Sequence, residues 1–289
     1  MTLGLVLGGG GIAGVAWHTG VLAGLAEAGL DLTDASVAVG TSAGATVAAQ
    51  VMAGRDLDVL MARQVDATVG SRELAPPVSM SELWERLAPI YAAQVDEGER
   101  RRMLGTLALE TETVSEAVRR GVLEDRLDGV DWPSAPGRRL CIVVVEAATG
   151  ERRVIDGASG VPLVDAVTAS SAVPGVWPPT TIAGTRYVDG GIWSLANADL
   201  VHVDGSADAT SPEGPDRVVV LAPLSDPALD DQVAGYPEWV RHGVITPDAD
   251  SLAAFGADVL DPAVRGPAAR AGLAQGRVEA PHLADLIGR

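Results

Sequence analysis

The chain has 289 residues and a net charge of −18, from 21 basic and 39 acidic residues. All 21 basic residues are arginines, which excludes a lysine Schiff base, a Ser-Lys dyad and a P-loop lysine. The acidic balance argues against nucleic acid as a partner, and the single cysteine, Cys141, excludes an intrachain disulfide.

Two uncharged stretches, 1–26 and 35–54, have the hydropathy of membrane spans. The first contains four consecutive glycines and the second several hydroxyl side chains, so both predict buried strand–turn–helix units instead. No positive region of a secretory signal precedes them. The sequence therefore predicts a cytoplasmic protein without stable membrane insertion.

The chain thus opens with two successive strand–turn–helix units. Apolar runs at 3–7 and 36–39 predict strands, and helices are predicted over 14–27 and 43–53. Strands that alternate with helices are typical of an α/β fold with a largely parallel sheet.

The rest of the chain continues this mixture. Residues 56–122 have helical spacing, and 140–145 (LCIVVV) is the strongest strand signal. The other predicted elements are a hairpin strand at 152–155, a helix at 162–170, a strand pair at 180–188, a strand at 217–222 and a helical tail over 248–289. Residues 202–216 are predicted to be a surface loop. No repeat or sharp change of composition appears, so one domain over 1–289 is predicted.

The first motif of chemical interest follows the first strand. It reads Gly8-Gly9-Gly10-Gly11-Ile12-Ala13-Gly14 and precedes a helix. Glycines here let backbone N–H groups converge, and the helix amino terminus adds positive potential. Such a loop can hold a phosphate or the oxyanion of a tetrahedral intermediate. A tight turn with no chemical role is an alternative.

The second motif is Gly40-Thr41-Ser42-Ala43-Gly44, a G-x-S-x-G sequence between a strand and a helix. Small neighbours permit the sharp turn of a nucleophile elbow and expose the serine hydroxyl. The alternative is an ordinary helix cap at Ser42.

The third motif is Asp189-Gly190-Gly191, which follows an apolar strand. A carboxylate on such a turn can approach a serine hydroxyl closely. An isolated Asp-Gly pair is more often plain turn chemistry, so this motif gains weight only in combination with the others.

Together, and in this order, the three motifs resemble those of the patatin-like phospholipase family. The likeness extends to the Ala-Ser-Ser-Ala-x-Pro segment at 169–174 and covers residues 3–55 and 140–222. The helical middle region, 56–122, and the tail are not assigned by it.

The resemblance implies a three-layer α/β/α fold and hydrolysis of fatty-acyl esters, often of phospholipids or lysophospholipids. It implies Ser42 as nucleophile, Asp189 as general base and the amides of Gly9, Gly10 and Gly11 as oxyanion hole. Neither a catalytic histidine, a metal nor a cofactor is implied. The supporting motif glycines are Gly14, Gly40, Gly44, Gly190 and Gly191.

The chain departs from the family pattern near these motifs. Ala13 stands where the family usually has a basic residue, and His18 lies one residue later than the common family histidine. Trp193 and Leu195 replace small or polar residues, and Asn197 comes later than the usual asparagine. These changes leave the dyad intact. The sequence does not determine which lipid head group is recognised, the acyl-chain length or the oligomeric state.

Two other functions remain open on the residues alone. An α/β-hydrolase triad would recruit His202, His242 or His282, all of which follow Asp189. A nucleotide- or phosphate-binding module would use Gly9, Gly11 and Gly14 with Glu27 or Asp31 as its acidic ligand. The predicted partner is a lipid or fatty-acyl ester, met at most through transient contact with a membrane surface.

Overall fold

A mostly parallel sheet forms the centre of the computed structural model, which describes residues 2–66, 73–202 and 214–288. Its strands within these ranges are β1 Leu3–Leu7, β2 Val37–Gly40, β3 Arg139–Glu146, β4 Arg152–Ile155, β5 Thr180–Ile182, β6 Thr185–Asp189, β7 Arg217–Leu221 and β8 Arg241–Ile245. The strand order is β5-β6-β3-β2-β1-β7-β8, with β4 paired to β3. The strands from β3 through β2, β1 and β7 to β8 run parallel. Strands β4 and β6 pair antiparallel with β3, and β5 pairs antiparallel with β6.

Helices connect and cover these strands. They are α1 Gly11–Glu27, α2 Ala43–Met52, α3 Leu57–Val65, α4 Met80–Ala92, α5 Glu97–Glu110, α6 Glu116–Leu127, α7 Leu163–Ser170, α8 Leu229–Ala234, α9 Ala249–Phe255 and α10 Arg265–Ile287. The predicted α/β class with a largely parallel sheet is confirmed.

Both faces of the sheet are buried, and successive strand residues point to opposite sides. Leu5 and Leu7 join the large core formed with the long helices, whereas Val6 joins a second core. The second core is closed by α8 and by the short 3-10 turn Ala198–His202. Burial on both faces explains why the strands are continuous apolar runs instead of alternating ones.

Helices α1 and α10 pack unusually closely. A Cβ atom added at Gly20 would lie 2.2 Å from the backbone oxygen of Ala269, and one at Gly276 would lie 2.4 Å from that of Val21. Part of the glycine excess therefore serves helix packing, because no side chain fits between these two backbones.

Strand β8 and helix α8 are additions to the predicted elements. Strand β8 pairs in parallel with β7 at the sheet edge, and only Gly243 and Ile245 in it are buried. Its exposed Arg241 and His242 interrupt the apolar pattern by which a strand is predicted, because a strand at the sheet edge needs little apolar surface. Helix α6 also runs to Leu127, further than the predicted end at residue 122.

The register of the sheet brings the three motifs to one edge. Leu7 of β1 pairs with Gly40 of β2, so the loops that follow these parallel strands leave side by side. Gly40 also pairs with Ile142, and β3 continues beyond it. Strand β6 returns along this extension and places Asp189 opposite Val144, just past the end of β2.

Of the predicted 202–216 loop, residues 203–213 lie outside the described ranges. Among the helices that are described, none combines the length and the apolar character needed to cross a bilayer.

Candidate active site

Ser42 lies on the turn that joins β2 to α2. Its backbone has φ 54° and ψ −115°, a conformation that L-residues rarely adopt. Its N–H donates to the Ser170 hydroxyl oxygen at 2.9 Å, and that hydroxyl donates to the carbonyl of Val143 at 2.7 Å. The Ser170 side chain of α7 therefore stabilises the strained turn at Ser42.

The glycines of the elbow make room for this turn. A Cβ atom at Gly44 would lie 1.9 Å from the backbone oxygen of Leu7, because α2 starts directly against the end of β1. Gly40 is equally enclosed, with its Cβ position 2.6 Å from the Cα of Ala45. The G-x-S-x-G spacing is thus required by packing as well as by the turn itself.

The glycine loop after β1 is fixed through the carbonyl of Gly8. That oxygen accepts the N–H of Gly44 at 3.1 Å and the Nε2–H of His18 at 2.9 Å. His18 is fully buried, and desolvation lowers its pKa to about 4, so its ring is neutral at neutral pH. It acts here as a structural clamp between helix α1 and the loop.

The amides of the glycine loop are not equivalent. The N–H of Gly9 donates to the backbone oxygen of Leu195 at 2.8 Å. For Gly10 and Gly11 no acceptor is found among the described residues, and Gly11 has φ +62°. A Cβ atom at Gly14, one turn into α1, would lie 3.1 Å from the Cβ of Ala43, so α1 starts close to the elbow. The two amides left for a ligand are therefore those of Gly10 and Gly11.

Asp189 ends β6 and is 5% exposed. Its Oδ1 accepts the N–H of Gly191 at 2.7 Å across the 3-10 turn Gly190–Ile192. Burial raises the pKa of the Asp189 carboxyl to about 6, against the lowering effects of the Gly191 amide, the Ser42 hydroxyl and the Arg119 guanidinium. A carboxylate that interacts with Ser42 and has such a pKa is suited to accept a proton from it near neutral pH.

Asn197, which comes later in the chain than the usual asparagine of the family, connects the elbow to the Asp-Gly-Gly turn. Its Nδ2 donates to the Thr41 hydroxyl at 3.1 Å and to the Gly190 carbonyl at 3.4 Å. Its Oδ1 accepts from Arg152 at 3.1 Å. The buried asparagine with φ 52° thus ties the segments that carry Ser42 and Asp189 to each other.

A cavity of about 180 Å³ opens at these residues. Ser42, Asp189, Gly191 and the loop Gly9–Gly11 lie on one side of it. The remaining lining is almost entirely apolar and comes from α4, α5 and four connecting segments: Met80, Leu83, Leu87, Tyr91, Leu104, Val173, Pro174, Ile192, Leu195, Leu224, Val259 and Leu260. The polar groups of the motifs therefore face a space suited to a hydrocarbon chain.

The model of the patatin-like phospholipase family matches residues 5–201 of this chain. The chain belongs to the patatin-like phospholipase family. The match runs through the helical region 56–122, which the motifs alone left unassigned. The protein is accordingly an enzyme of the lipid acyl hydrolase class, as the resemblance predicted.

Two solved structures are similar to this patatin-like chain. VipD from Legionella pneumophila is 14% identical with a TM-score of 0.48, and the match covers 98% of this chain and 67% of VipD. The type III effector protein ExoU is 17% identical with a TM-score of 0.40, and the match covers 97% of this chain and 53% of ExoU. The chain thus spans about half the length of ExoU. A comparison with curated proteins found no match.

The departures from the family pattern fall around the patatin-like site. Ala13 is buried in α1, and its N–H donates to the carbonyl of Val259. Leu195 lines the cavity with its side chain and binds Gly9 with its carbonyl. Trp193 stacks on Arg101, whose guanidinium lies 3.9 Å from the ring centre.

The histidines and the acidic ligand that the two alternative functions would need lie elsewhere. Neither His202, His242 nor His282 is among the described residues that line a cavity at Ser42. Glu27 ends α1, at the opposite end from the glycine loop, and forms an ion pair with Arg277. Among the residues that the structure describes, no group of three or more potential ligands could hold a metal ion.

Proposed function

We propose that Ser42 and Asp189 form a catalytic dyad that hydrolyses fatty-acyl esters of lipids through an acyl-enzyme. The observation that carries the proposal is the buried Asp189 carboxylate, with a pKa near 6, next to a serine held in a strained turn. An unperturbed aspartate, with a pKa near 4, would be a weaker base for a serine hydroxyl. Burial reduces that mismatch, because it raises the pKa of the Asp189 carboxyl to about 6.

In the first half of the proposed reaction, the Ser42 Oγ attacks the ester carbonyl carbon and its proton passes to Asp189. The oxyanion that forms accepts hydrogen bonds from the amides of Gly10 and Gly11. A well-placed donor of this kind stabilises the transition state by about 3–4 kcal/mol. Collapse of the intermediate expels the alcohol, which takes the proton from Asp189, and leaves Ser42 acylated.

In the second half, water attacks the acyl-enzyme and gives a proton to Asp189. The same two amides stabilise the second oxyanion. Collapse releases the fatty acid, and the proton returns to the Ser42 oxygen. Each step thus moves one proton between the substrate or water and a single carboxylate, so no histidine is needed.

The apolar cavity supports a fatty-acyl substrate for this site. Its lining beyond the motif residues is provided mainly by Leu, Met, Val, Ile and Tyr side chains. Burial of a methylene group in such a lining contributes about 0.8 kcal/mol. Activity is therefore expected to rise with acyl-chain length until the cavity is filled.

We also propose that the enzyme meets its lipid through brief contact of α4 with a lipid surface. Leu83 and Leu87 of α4 line the cavity, whereas Trp84 on the same helix is 55% exposed. The Trp84 and Tyr91 rings lie 6.1 Å apart. Such amphipathic rings favour the boundary between water and lipid, where one end is apolar and the other wet.

A fluorophosphonate probe tests the dyad without a guess about the substrate. The adduct is expected at Ser42, and Ser42→Ala and Asp189→Asn should each reduce hydrolysis of a nitrophenyl fatty ester to background. Ser159→Ala, at an exposed turn, is the matched control and should retain full activity. Labelling at another serine, or more than a few per cent activity in either dyad variant, would overturn the proposal.

A further inference from the structure

A second cavity, of about 20 Å³, also reaches Ser42. It shares Gly11, Ser42, Val173 and Leu260 with the apolar cavity, so the two adjoin at the reacting serine. Its other lining residues differ in character and include two arginines: Ile12, Ala43, Arg119, Arg126, Ser171 and Trp177.

Arg119 of α6 is the exceptional member of this lining. The residue is only 3% exposed, and its guanidinium carbon lies 4.1 Å from the centre of the Trp177 ring. Its Nε and Nη1 atoms are buried, and neither has a hydrogen-bond partner within the described part of the chain. Burying a cation whose N–H donors are unpaired costs free energy unless an anionic group binds it.

The neighbouring Arg126 shows how such a charge is normally balanced. Its guanidinium binds Glu73 through two hydrogen bonds, Nε to Oε1 at 2.8 Å and Nη2 to Oε2 at 2.5 Å. Arg119 has no ion pair of this kind with any residue that the structure describes. Its donors therefore point to an anion from outside the chain.

The charge of Arg119 persists at neutral pH. Burial and the nearby Arg126 lower the pKa of its guanidinium to about 9, while Glu73 and Asp189 act in the opposite direction. Asp189 attracts this charge electrostatically, but it accepts no hydrogen bond from the Nε or Nη1 of Arg119.

The size of the cavity limits what can enter. A single water molecule occupies about 10–15 Å³ of a cavity, so this one admits one or two oxygen-sized atoms but not a whole lipid head group. A fork of guanidinium N–H groups suits the oxygens of a phosphate. An oxygen that projects from a lipid bound at Ser42 would fit.

We propose that Arg119 binds a phosphate oxygen of the lipid whose acyl ester Ser42 attacks, and so makes the enzyme selective for phospholipids over neutral esters. The inference rests on the proposed function. The acyl chain occupies the apolar cavity, the ester carbonyl lies at Ser42, and the phosphate of the leaving portion reaches the arginine. Because that contact exists only for phospholipids, Arg119 determines specificity and takes no part in proton transfer.

The kinetic test compares Arg119→Gln with the wild type on a short-chain phosphatidylglycerol and on a neutral glyceride with the same acyl chain. Loss of a charged hydrogen bond predicts a decrease of about tenfold or more in kcat/KM for the phospholipid. The neutral ester should change much less. Arg120→Gln is the matched control, because that side chain is exposed on the same helix and pairs with Glu124 and Asp165.

Equal losses on both substrates would overturn the inference, because Arg119 would then act through Asp189 or through packing. The pH profile separates these two cases. Loss of the nearby cation alone would raise the apparent pKa of Asp189 on either substrate. Arg119→Lys keeps the charge without the fork, so an intermediate selectivity is expected, and this variant serves if Arg119→Gln does not fold.

A binding experiment avoids catalysis altogether. The Ser42→Ala protein is titrated with a short-chain diether phosphatidylglycerol, the corresponding neutral diether glycerol and inorganic phosphate. Tighter binding of the phospholipid than of the neutral lipid, lost in Ser42→Ala/Arg119→Gln and weakened in Ser42→Ala/Arg119→Lys, supports the inference. Binding of phosphate alone, with no difference between the two lipids, overturns it. Full hydrolysis of the ester substrates of the kinetic test by Ser42→Ala would instead refute the proposed function.

Discussion

The backbone N–H of Ser42 is bound by the hydroxyl of Ser170, which lies 128 positions later in the chain. Ser170 is fully buried and passes the contact on to the carbonyl of Val143 in β3. The elbow is thereby attached to a neighbouring strand through one side chain. A residue with positive φ persists only where its surroundings hold it in place, and Ser170 is the group that does so here.

Ser170→Ala should therefore impair the elbow. It leaves the Ser42 amide and the Val143 carbonyl without partners, which predicts a loss of about 1–3 kcal/mol in the free energy of unfolding. The kcat of ester hydrolysis should fall at least several-fold, with little change in KM. Thr168→Ala on the same helix removes a hydroxyl that bonds only to the Val164 carbonyl, so it should cost stability without affecting kcat. Equal kcat in the two variants would contradict this role.

The activity should depend on the ionisation of Asp189. With the pKa of its carboxyl raised to about 6, the base is ionised above pH 6 and protonated below it. For a neutral ester, kcat/KM should therefore be half-maximal near pH 6 and fall tenfold per pH unit at lower pH. Stopped assays in buffers of constant ionic strength measure this. A half-maximal point near pH 4 would mean that burial does not act on the base as described.

The same raised pKa predicts an effect on stability. The native carboxyl holds its proton more tightly than the unfolded chain does, so stability is lost as pH rises between about 4 and 6. Asp189→Asn should then unfold with a free energy higher by on the order of 3 kcal/mol at pH 8. The gain should vanish at pH 4. Urea unfolding at both pH values tests this, and Asp285→Asn at an exposed position controls for net charge.

Asn197 offers a separate test of the link between the elbow and the base. Asn197→Asp keeps an acceptor for Arg152 but loses the donors to Thr41 and Gly190, so kcat should fall markedly. Asn197→Gly tolerates φ 52° and loses the whole side chain. Asn197→Ala adds backbone strain and should be the least stable of the three. Comparable activity in wild type and Asn197→Asp would show that the amide donors do not matter.

The exposed ring of Trp84 should matter only when the substrate is part of a lipid surface. Trp84→Ala is expected to lower hydrolysis of phospholipid vesicles several-fold and to leave a monomeric soluble ester unaffected. Trp239→Ala is the matched control, since this ring is 49% exposed and contacts His202 instead of the cavity. Co-sedimentation with the same vesicles measures the contact directly. Equal rates for both tryptophan variants on vesicles would argue against α4 as the contact.

Local sequence patterns were sufficient to predict the central parallel strands and the motifs that follow them. Strand β1 and the glycine loop, and β2 and the elbow, are contiguous in the chain, and their small residues are legible there. Strand β8 could not be predicted in this way, because it is only partly buried and its exposed Arg241 is typical of a loop. The approach of Asp189 to Ser42 also needed the register of β6 on β3, since 147 positions separate the two residues.

The local sequence was enough to predict the serine, the carboxylate and the glycine loop of the proposed site, because each belongs to a short motif whose small residues a sharp turn requires. The tertiary structure was needed to show that the Gly10 and Gly11 amides are left for a ligand. It was also needed to show that Ser170 binds the elbow and that the Arg119 guanidinium lies beside the site. Ser170, Asn197 and Arg119 come from separate segments and carry no local motif. Their importance arises from burial and hydrogen bonding, which exist only once distant parts of the chain have packed together.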